Sequence, residues 1–346
     1  MAKRRAGGAA SPAISANATQ SRHFKFSRTE VIPLQKSKEM QSRAFGAPGR
    51  RYSLDKFRKD LGGWLLCLPA LAILAFYSIW PLLGSIQLAF SKTKGYSIVS
   101  FSGLDNFKVV LNHPHFRTAL ANSGQYVFWS LLIGLLMPVL IAAITTEVTR
   151  GRGFFRIAMR MPGILPSIAS LLVLTFFFRS DNQGVLNMLI TRLGGDTVRF
   201  LTNRDMTIFW LIVSATWKGA GGTALLYMAA MTNISGDLYE AAALDGVSPW
   251  KRFLHITWPG IRGQFSLLLI LQIISVFQIL YEPLVMTNGG PNNASLSLML
   301  LVYRYAFEDL QIGRASALSL IVSLFLIVLS IVRYLLQKRI EREENA

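Results

Sequence analysis

The 346-residue chain has one cysteine, Cys67, and it falls inside a strongly apolar run. A disulfide framework and a thiolate metal centre are therefore both excluded. Acidic residues are scarce too, 18 Asp and Glu against 36 Lys and Arg, and charged residues of both signs make up only 16% of the chain. Soluble domains carry nearer a quarter, so a chain that is 52% hydrophobic belongs in a bilayer.

Catalytic signatures are missing as well. No Gly-rich phosphate loop ending in Lys-Ser/Thr occurs, so ATP is not hydrolysed here by that route. No His-Glu-x-x-His helix and no Gly-x-Ser-x-Gly elbow is found. The histidines are His23, His113, His115 and His255. Only "HPH" at 113–115 has suggestive spacing, and without acidic or Cys neighbours it reads as loop rather than metal site. The chain is thus expected to be no enzyme, with no metal and no cofactor of its own.

What is present is a set of long apolar runs. A spanning helix needs about 20 mostly apolar residues, and six candidates qualify. The first ends near Phe90, the second runs over 126–148, and the third, "MPGILPSIASLLVLTFFF", ends at Phe178. The fourth covers 207–231, the fifth about 266–286 and the last about 315–336. Backbone groups in lipid must pair within the segment, and these runs do not alternate as barrel strands do. The expected fold is an all-α polytopic membrane protein with six transmembrane helices.

Placing both termini in the cytoplasm assigns 25 basic residues to the inner side and ten to the outer, with Lys218 left inside a span. That agrees with the positive-inside rule. The net charge of +18 is thereby a topology signal and not a nucleic-acid signal. Residues 1–60 carry 14 of those basic residues and lack an apolar core, so they read as a disordered cytoplasmic tail against anionic headgroups and not as a cleaved signal peptide. The organisation is a tail over 1–60, a six-span domain over 61–338 and a short cytoplasmic tail over 339–346.

Between the fourth and fifth runs lies the polar stretch "YEAAALDGVSPWKRFLHITWPG", residues 239–260. Ser235 can cap a helix whose first turns hold Asp237 and Glu240. Gly246 can stop that helix in a left-handed conformation. A second helix can begin at Ser248 with Pro249 in its first turn, ending before Pro259. The expectation is a helix–Gly–helix hairpin on the cytoplasmic face.

This stretch resembles the EAA loop, residues 232–262 here, of the membrane subunits of binding-protein-dependent ABC importers. Glu240, Ala241, Ala242, Asp245, Gly246, Phe253, Ile256 and Pro259 occupy the places of that motif. "GLDNF" at 103–107, "ALANS" at 119–123, "GVLN" at 184–187 and "TNGGPNNAS" at 287–295 resemble segments of the sugar-importer branch, the maltose and glycerol-phosphate type. One departure stands out: the family usually has Ile-Pro shortly before Glu-Ala-Ala, and this chain has Ile-Ser-Gly at 234–236.

The resemblance implies a permease subunit in a bacterial inner membrane, passing a mono- or oligosaccharide from an extracytoplasmic binding protein to the cytoplasm; Lys218 inside a span adds an anionic sugar as one variant. It implies a second related permease and two ABC ATPase subunits, which would hold the ATP and Mg. The EAA loop would be the coupling helix that docks on the ATPase. For the solute pathway the candidates are Trp217 and Lys218 in the fourth span and Gln272, Ser275, Gln278, Tyr281 and Glu282 on one face of the fifth, since polar residues inside spans mark pathways. An ion-gradient-driven secondary transporter is the alternative. It would call for paired intramembrane carboxylates or inverted halves, and Glu282 is the only acid deep in a span.

Overall fold

The computed structural model describes residues 61–147 and 151–344. The expected tail over 1–60 and residues 345–346 lie outside that range. The chain divides after Pro69 into two units. Of the first, only residues 61–69, the start of a helix, are described, and the packing below is that of the second.

Helix α1 (Leu61–Leu74) and α2 (Trp80–Ala89) are joined by a π-turn. A two-stranded antiparallel hairpin follows, β1 (Ser91–Lys94) with β2 (Ser97–Phe101). It departs from the all-α expectation. Its turn is made by Gly95 at φ +58°, and a short ribbon outside the apolar runs leaves no trace in their hydropathy. Then come α3 (Asp105–Asn112), α4 (Pro114–Trp129) and α5 (Leu136–Glu147), the last two again joined through a π-turn.

Next are α6 (Arg152–Ile164), α7 (Ser167–Phe177), α8 (Val185–Arg192) and α9 (Thr207–Met231). The hairpin helices α10 (Gly236–Leu244) and α11 (Pro249–Arg252) lead into α12 (Trp258–Phe277). The chain closes with α13 (Leu298–Tyr303) and α14 (Ile312–Glu344), which runs past the boundary at 338 read from the sequence.

Among the described residues four helical stretches are long and apolar enough to cross a membrane: Leu65–Ala89, Pro114–Thr146, Pro249–Phe277 and Ile312–Leu335. The pair Gly153–Ile164 and Ser167–Phe177 adds a fifth if its 96° bend lies within one span. That bend has a local cause. Leu165 precedes Pro166, which disfavours helical backbone for it, and it is extended at ψ 142°. The 25-residue α9 is long enough as well, but Lys218 and its run of Gly, Thr and Trp residues dilute its apolar character.

Helix α9 is the centre of the packing. It touches α4, α5, α6 and α12, with Leu211, Ala224 and Tyr227 fully buried. One apolar cluster gathers Tyr227, Met228 and Ile261 where α5, α9 and α12 meet near the hairpin. Another, with Leu296, Leu300 and Leu318, joins α13 and α14 at the opposite end. Methyl and ring burial of this kind contributes roughly 1.5–3 kcal/mol per large side chain in water-facing regions, and packing takes over that role against lipid.

Candidate functional site

The polar stretch folds as the hairpin its residues dictate. The Ser235 hydroxyl accepts from the Asp237 amide at 3.3 Å, so it caps α10 in place of the usual proline. At the other end Gly246 adopts φ +66°. The Gly246 amide donates to the Ala243 carbonyl at 3.1 Å and the Val247 amide to the Ala242 carbonyl at 2.9 Å. This pair of bonds is the Schellman closure, and a left-handed residue without Cβ completes it at least cost.

The second arm differs from expectation. Ser248 and Pro249 begin it, but Pro259 does not end it. The chain runs from Pro249 through a π-turn at Phe253–Thr257 straight into α12. Trp258 donates to the Phe253 carbonyl five residues back. That wider turn accommodates the proline, which has no N–H to give and would clash in a regular helix. The hairpin arm and the following span are therefore one continuous helical rod.

The motif residues divide by position. Glu240, Ala241, Asp245, Gly246 and Pro259 are exposed, whereas Ala242 is buried and Phe253 and Ile256 are half-buried. Of the two alanines, then, Ala241 presents a small surface outward while Ala242 packs inward. Leu244, which lies outside the motif positions, is 90% exposed on the same helix. Exposure of this kind follows from how the hairpin packs and not from periodicity. The Tyr239 hydroxyl bonds the Thr257 hydroxyl at 2.9 Å and ties the two arms together.

The residues expected along a solute pathway are placed less uniformly. Helix α12 ends at Phe277, with Gln278 as its C-cap and a break before a short π-turn from Pro283. The single helical face drawn through Gln272, Ser275, Gln278 and Glu282 is therefore interrupted, because the fifth span begins earlier and stops sooner than hydropathy alone suggests. The Gln272 amide donates to the Ser130 hydroxyl at 2.6 Å, which ties α12 to the π-turn after α4. Trp217, Ser275, Gln278 and Tyr281 are exposed on the single chain. Lys218 and Glu282 are half-buried, and no ion pair joins them.

The glycines beside Lys218 do not break α9. A Cβ at Gly221 would collide with the Met159 carbonyl, and one at Gly163 would come 3.1 Å from the Lys218 carbonyl. They let α6 and α9 cross at backbone distance.

Three of the four other segments, 103–107, 119–123 and 184–187, hold an asparagine whose amide clamps main-chain carbonyls. Asn106 donates to the carbonyls of Ala89 and Ser91. Asn122 donates to those of Asn293 at 2.8 Å and Leu296 at 3.0 Å, fixing the 287–297 loop. Fully buried Asn187 donates to Arg179 and Val198 and accepts from the Val198 amide. His113, for its part, caps α4 by accepting from the His115 amide.

Residues 134–343 match the family described as binding-protein-dependent transport system inner membrane component. The chain belongs to this family. Among its relatives is the arabinooligosaccharides transport system permease protein AraP of Bacillus subtilis, 26% identical over 278 residues that cover 80% of this chain and 88% of AraP. The lactose transport system permease protein LacF of Rhizobium radiobacter is 30% identical over 292 residues, covering 82% and 96%. The fold is similar to a chain of a bacterial alginate ABC transporter solved in complex with alginate pentasaccharide-bound periplasmic protein, with a TM-score of 0.72 at 25% identity over 84% of this chain and 98% of that one. As a transport-system membrane component the chain is a multi-pass permease subunit and not a catalytic one.

Proposed function

We propose that this permease subunit passes a carbohydrate across the bacterial inner membrane, received from an extracytoplasmic binding protein and driven by ATP hydrolysed on separate subunits. The single observation that carries the coupling part is the hairpin. Its capped, Schellman-closed α10 presents Glu240, Ala241 and Leu244 outward, and its second arm is continuous with a span. A force applied by an ATPase to α10 passes across the Gly246 turn and the Tyr239–Thr257 bond to the continuous α11–α12 rod. The relatives named for arabinooligosaccharides, lactose and alginate support a carbohydrate as solute.

In this reading α9 is the sixth span, beside the four apolar stretches and the bent α6–α7 pair, and both termini are cytoplasmic. A second related permease covers the exposed Trp217, Ser275, Gln278 and Tyr281, and the solute passes between the two. Exposed aromatic and amide side chains suit sugars, since rings stack on pyranose faces and amides pair with hydroxyls. Two ATPase subunits hold the ATP and Mg. Co-purification of the chain from native membranes, followed by a sugar screen on the binding protein that accompanies it, tests the reading. A sugar-binding partner is the expected result. Recovery of the chain without any ATPase subunit would overturn it.

A further inference from the structure

The ribbon β1–β2 carries an apolar surface that stays open among the described residues. Its register pairs Ser91 with Phe101 and Thr93 with Ile98, so these four side chains share one face. Lys92 pairs with Ser100 and Lys94 with Ser97 on the other, and Val99 sits at the bulge between the pairs. Ser91 is buried and Thr93 half-buried against the bundle, whereas Phe101 is 80% exposed and Ile98 46%. Both lysines are exposed. The face that begins on protein thus runs off its edge as phenylalanine and isoleucine. Open apolar surface of this kind, rimmed by polar groups, marks a contact with another protein or with a membrane.

We propose that this face rests on the phospholipid bilayer, with Phe101 and Ile98 at the boundary between headgroups and acyl chains; on the topology proposed above, that is the outer leaflet. The level of the ribbon is fixed from two sides. Ser91 comes two residues after Ala89, which closes the apolar stretch Leu65–Ala89. The Asn106 amide donates to the carbonyls of Ala89 at 3.0 Å and Ser91 at 2.9 Å. On the other side the Thr93 hydroxyl accepts from the Gly313 amide at 3.1 Å, in the first turn of α14, where the apolar stretch Ile312–Leu335 begins. A Cβ at Gly313 would lie 2.7 Å from the Ser91 carbonyl, so glycine permits this close seat. Two stretches of spanning length therefore end at the base of the ribbon, and a ribbon tied to both lies where bilayer meets water.

The chemistry of the ribbon brackets its depth. With two strands only, it has open edges of backbone N–H and C=O groups, which hydrocarbon does not tolerate. Deeper insertion is thereby excluded. Phe101 and Ile98 gain by leaving water, which opposes a position above the headgroups. Tyr96 in the turn is 72% exposed, a ring type enriched where one end meets lipid and the other water. Lys92 and Lys94 leave the opposite face toward water and phosphates. A protein partner would use the apolar face but gives no reason for its level at two span ends. The second permease, moreover, is assigned above to Trp217 and Ser275 on α9 and α12, whereas the ribbon packs on α2 and α14.

The test is spin labelling of the full-length chain, purified with its associated subunits and reconstituted into vesicles of phosphatidylethanolamine and phosphatidylglycerol. Cys67→Ser supplies the background, and single labels are placed through Phe101→Cys, Ile98→Cys and Lys94→Cys. The measurement reads depth and not transport, so its failure is distinct from failure of the solute or ATPase assignments. At 101 and 98, collision with oxygen, which concentrates in lipid, should exceed collision with an aqueous nickel chelate. At 94 that order should reverse. If Phe101→Cys does not assemble, the label at 98 decides alone. Nickel collision at 98 and 101 as frequent as at 94 would put the face in water and overturn the proposal. Shielding of 98 and 101 from both reagents would put the face under protein and overturn it equally.

Discussion

The hydroxyls of Tyr239 and Thr257 lie 2.9 Å apart and join α10 of the hairpin to the base of α12. Thr257 is buried, and it sits at the end of the π-turn that carries the arm into the span. The bond thus links the two helices directly, in addition to the chain connection through Gly246.

Removing either hydroxyl should loosen that link. Tyr239→Phe and Thr257→Val are each expected to cost about 0.5–1.5 kcal/mol, the usual net value of one hydrogen bond. Uptake per ATP hydrolysed should fall in both. The double variant should be no worse than the poorer single one, since both remove the same bond. Additive losses in a double-mutant cycle of uptake would show that the two residues act separately.

Gly246 gives a sharper contrast. An added Cβ there meets open space, so any penalty comes from backbone strain alone. A β-branched residue at φ +66° costs roughly 1–2 kcal/mol, while Asn tolerates the left-handed region. Gly246→Val is expected to insert normally but lose uptake, and Gly246→Asn to keep most of it. Equal uptake by the two variants would remove the turn from the account.

Leu244 and Glu240 test the outward face. Leu244 is 90% exposed, so Leu244→Arg leaves the chain's own packing unchanged. Thermal stability of the isolated permease should stay within about 0.5 kcal/mol of the parent. Recovery of the ATPase by co-purification should drop sharply, and Glu240→Lys should act in the same direction. Full recovery with both variants would place the docking contact elsewhere.

Asn122 tests the opposite end of the bundle. Asn122→Ala would leave two carbonyls of the 287–297 loop without their donor, at about 1–3 kcal/mol. A lower unfolding temperature and faster proteolysis within that loop are expected. Asn122→Asp should be worse, because it sets an acceptor against acceptors.

These asparagines show where sequence reasoning reached and where it stopped. The segments holding Asn106, Asn122 and Asn187 were recognisable by resemblance, but an amide's partners are main-chain carbonyls up to 174 residues away, which no local pattern reveals. The hairpin was legible because its determinants are local: Ser235 caps within two residues, and Gly246 closes a turn with bonds three to five residues long. The ends of the fifth span were misread at Pro259 and Gln278. Proline usually marks a helix boundary, and here a π-turn absorbs it. Gln272, grouped with the pathway by periodicity, is tied to Ser130, a pairing that depends on how α4 and α12 pack.

Lys218 tests the proposed pathway. It is half-buried, and no ion pair joins it to Glu282. A lysine at mid-span is costly, about 2.5–3.5 kcal/mol on insertion scales, so a cavity shared with solute and water is its expected setting. Lys218→Met should reduce uptake without lowering the amount of assembled complex. If Lys218→Met instead depletes the complex and Glu282→Gln restores it, the two form a structural pair and the cavity reading fails.

The most direct measurement is sugar uptake into proteoliposomes holding the chain with its co-purified subunits, under ATP alone and under an ion gradient alone. The account predicts uptake with ATP and the binding protein present, and none with the gradient. Uptake driven by the gradient without ATP would contradict it.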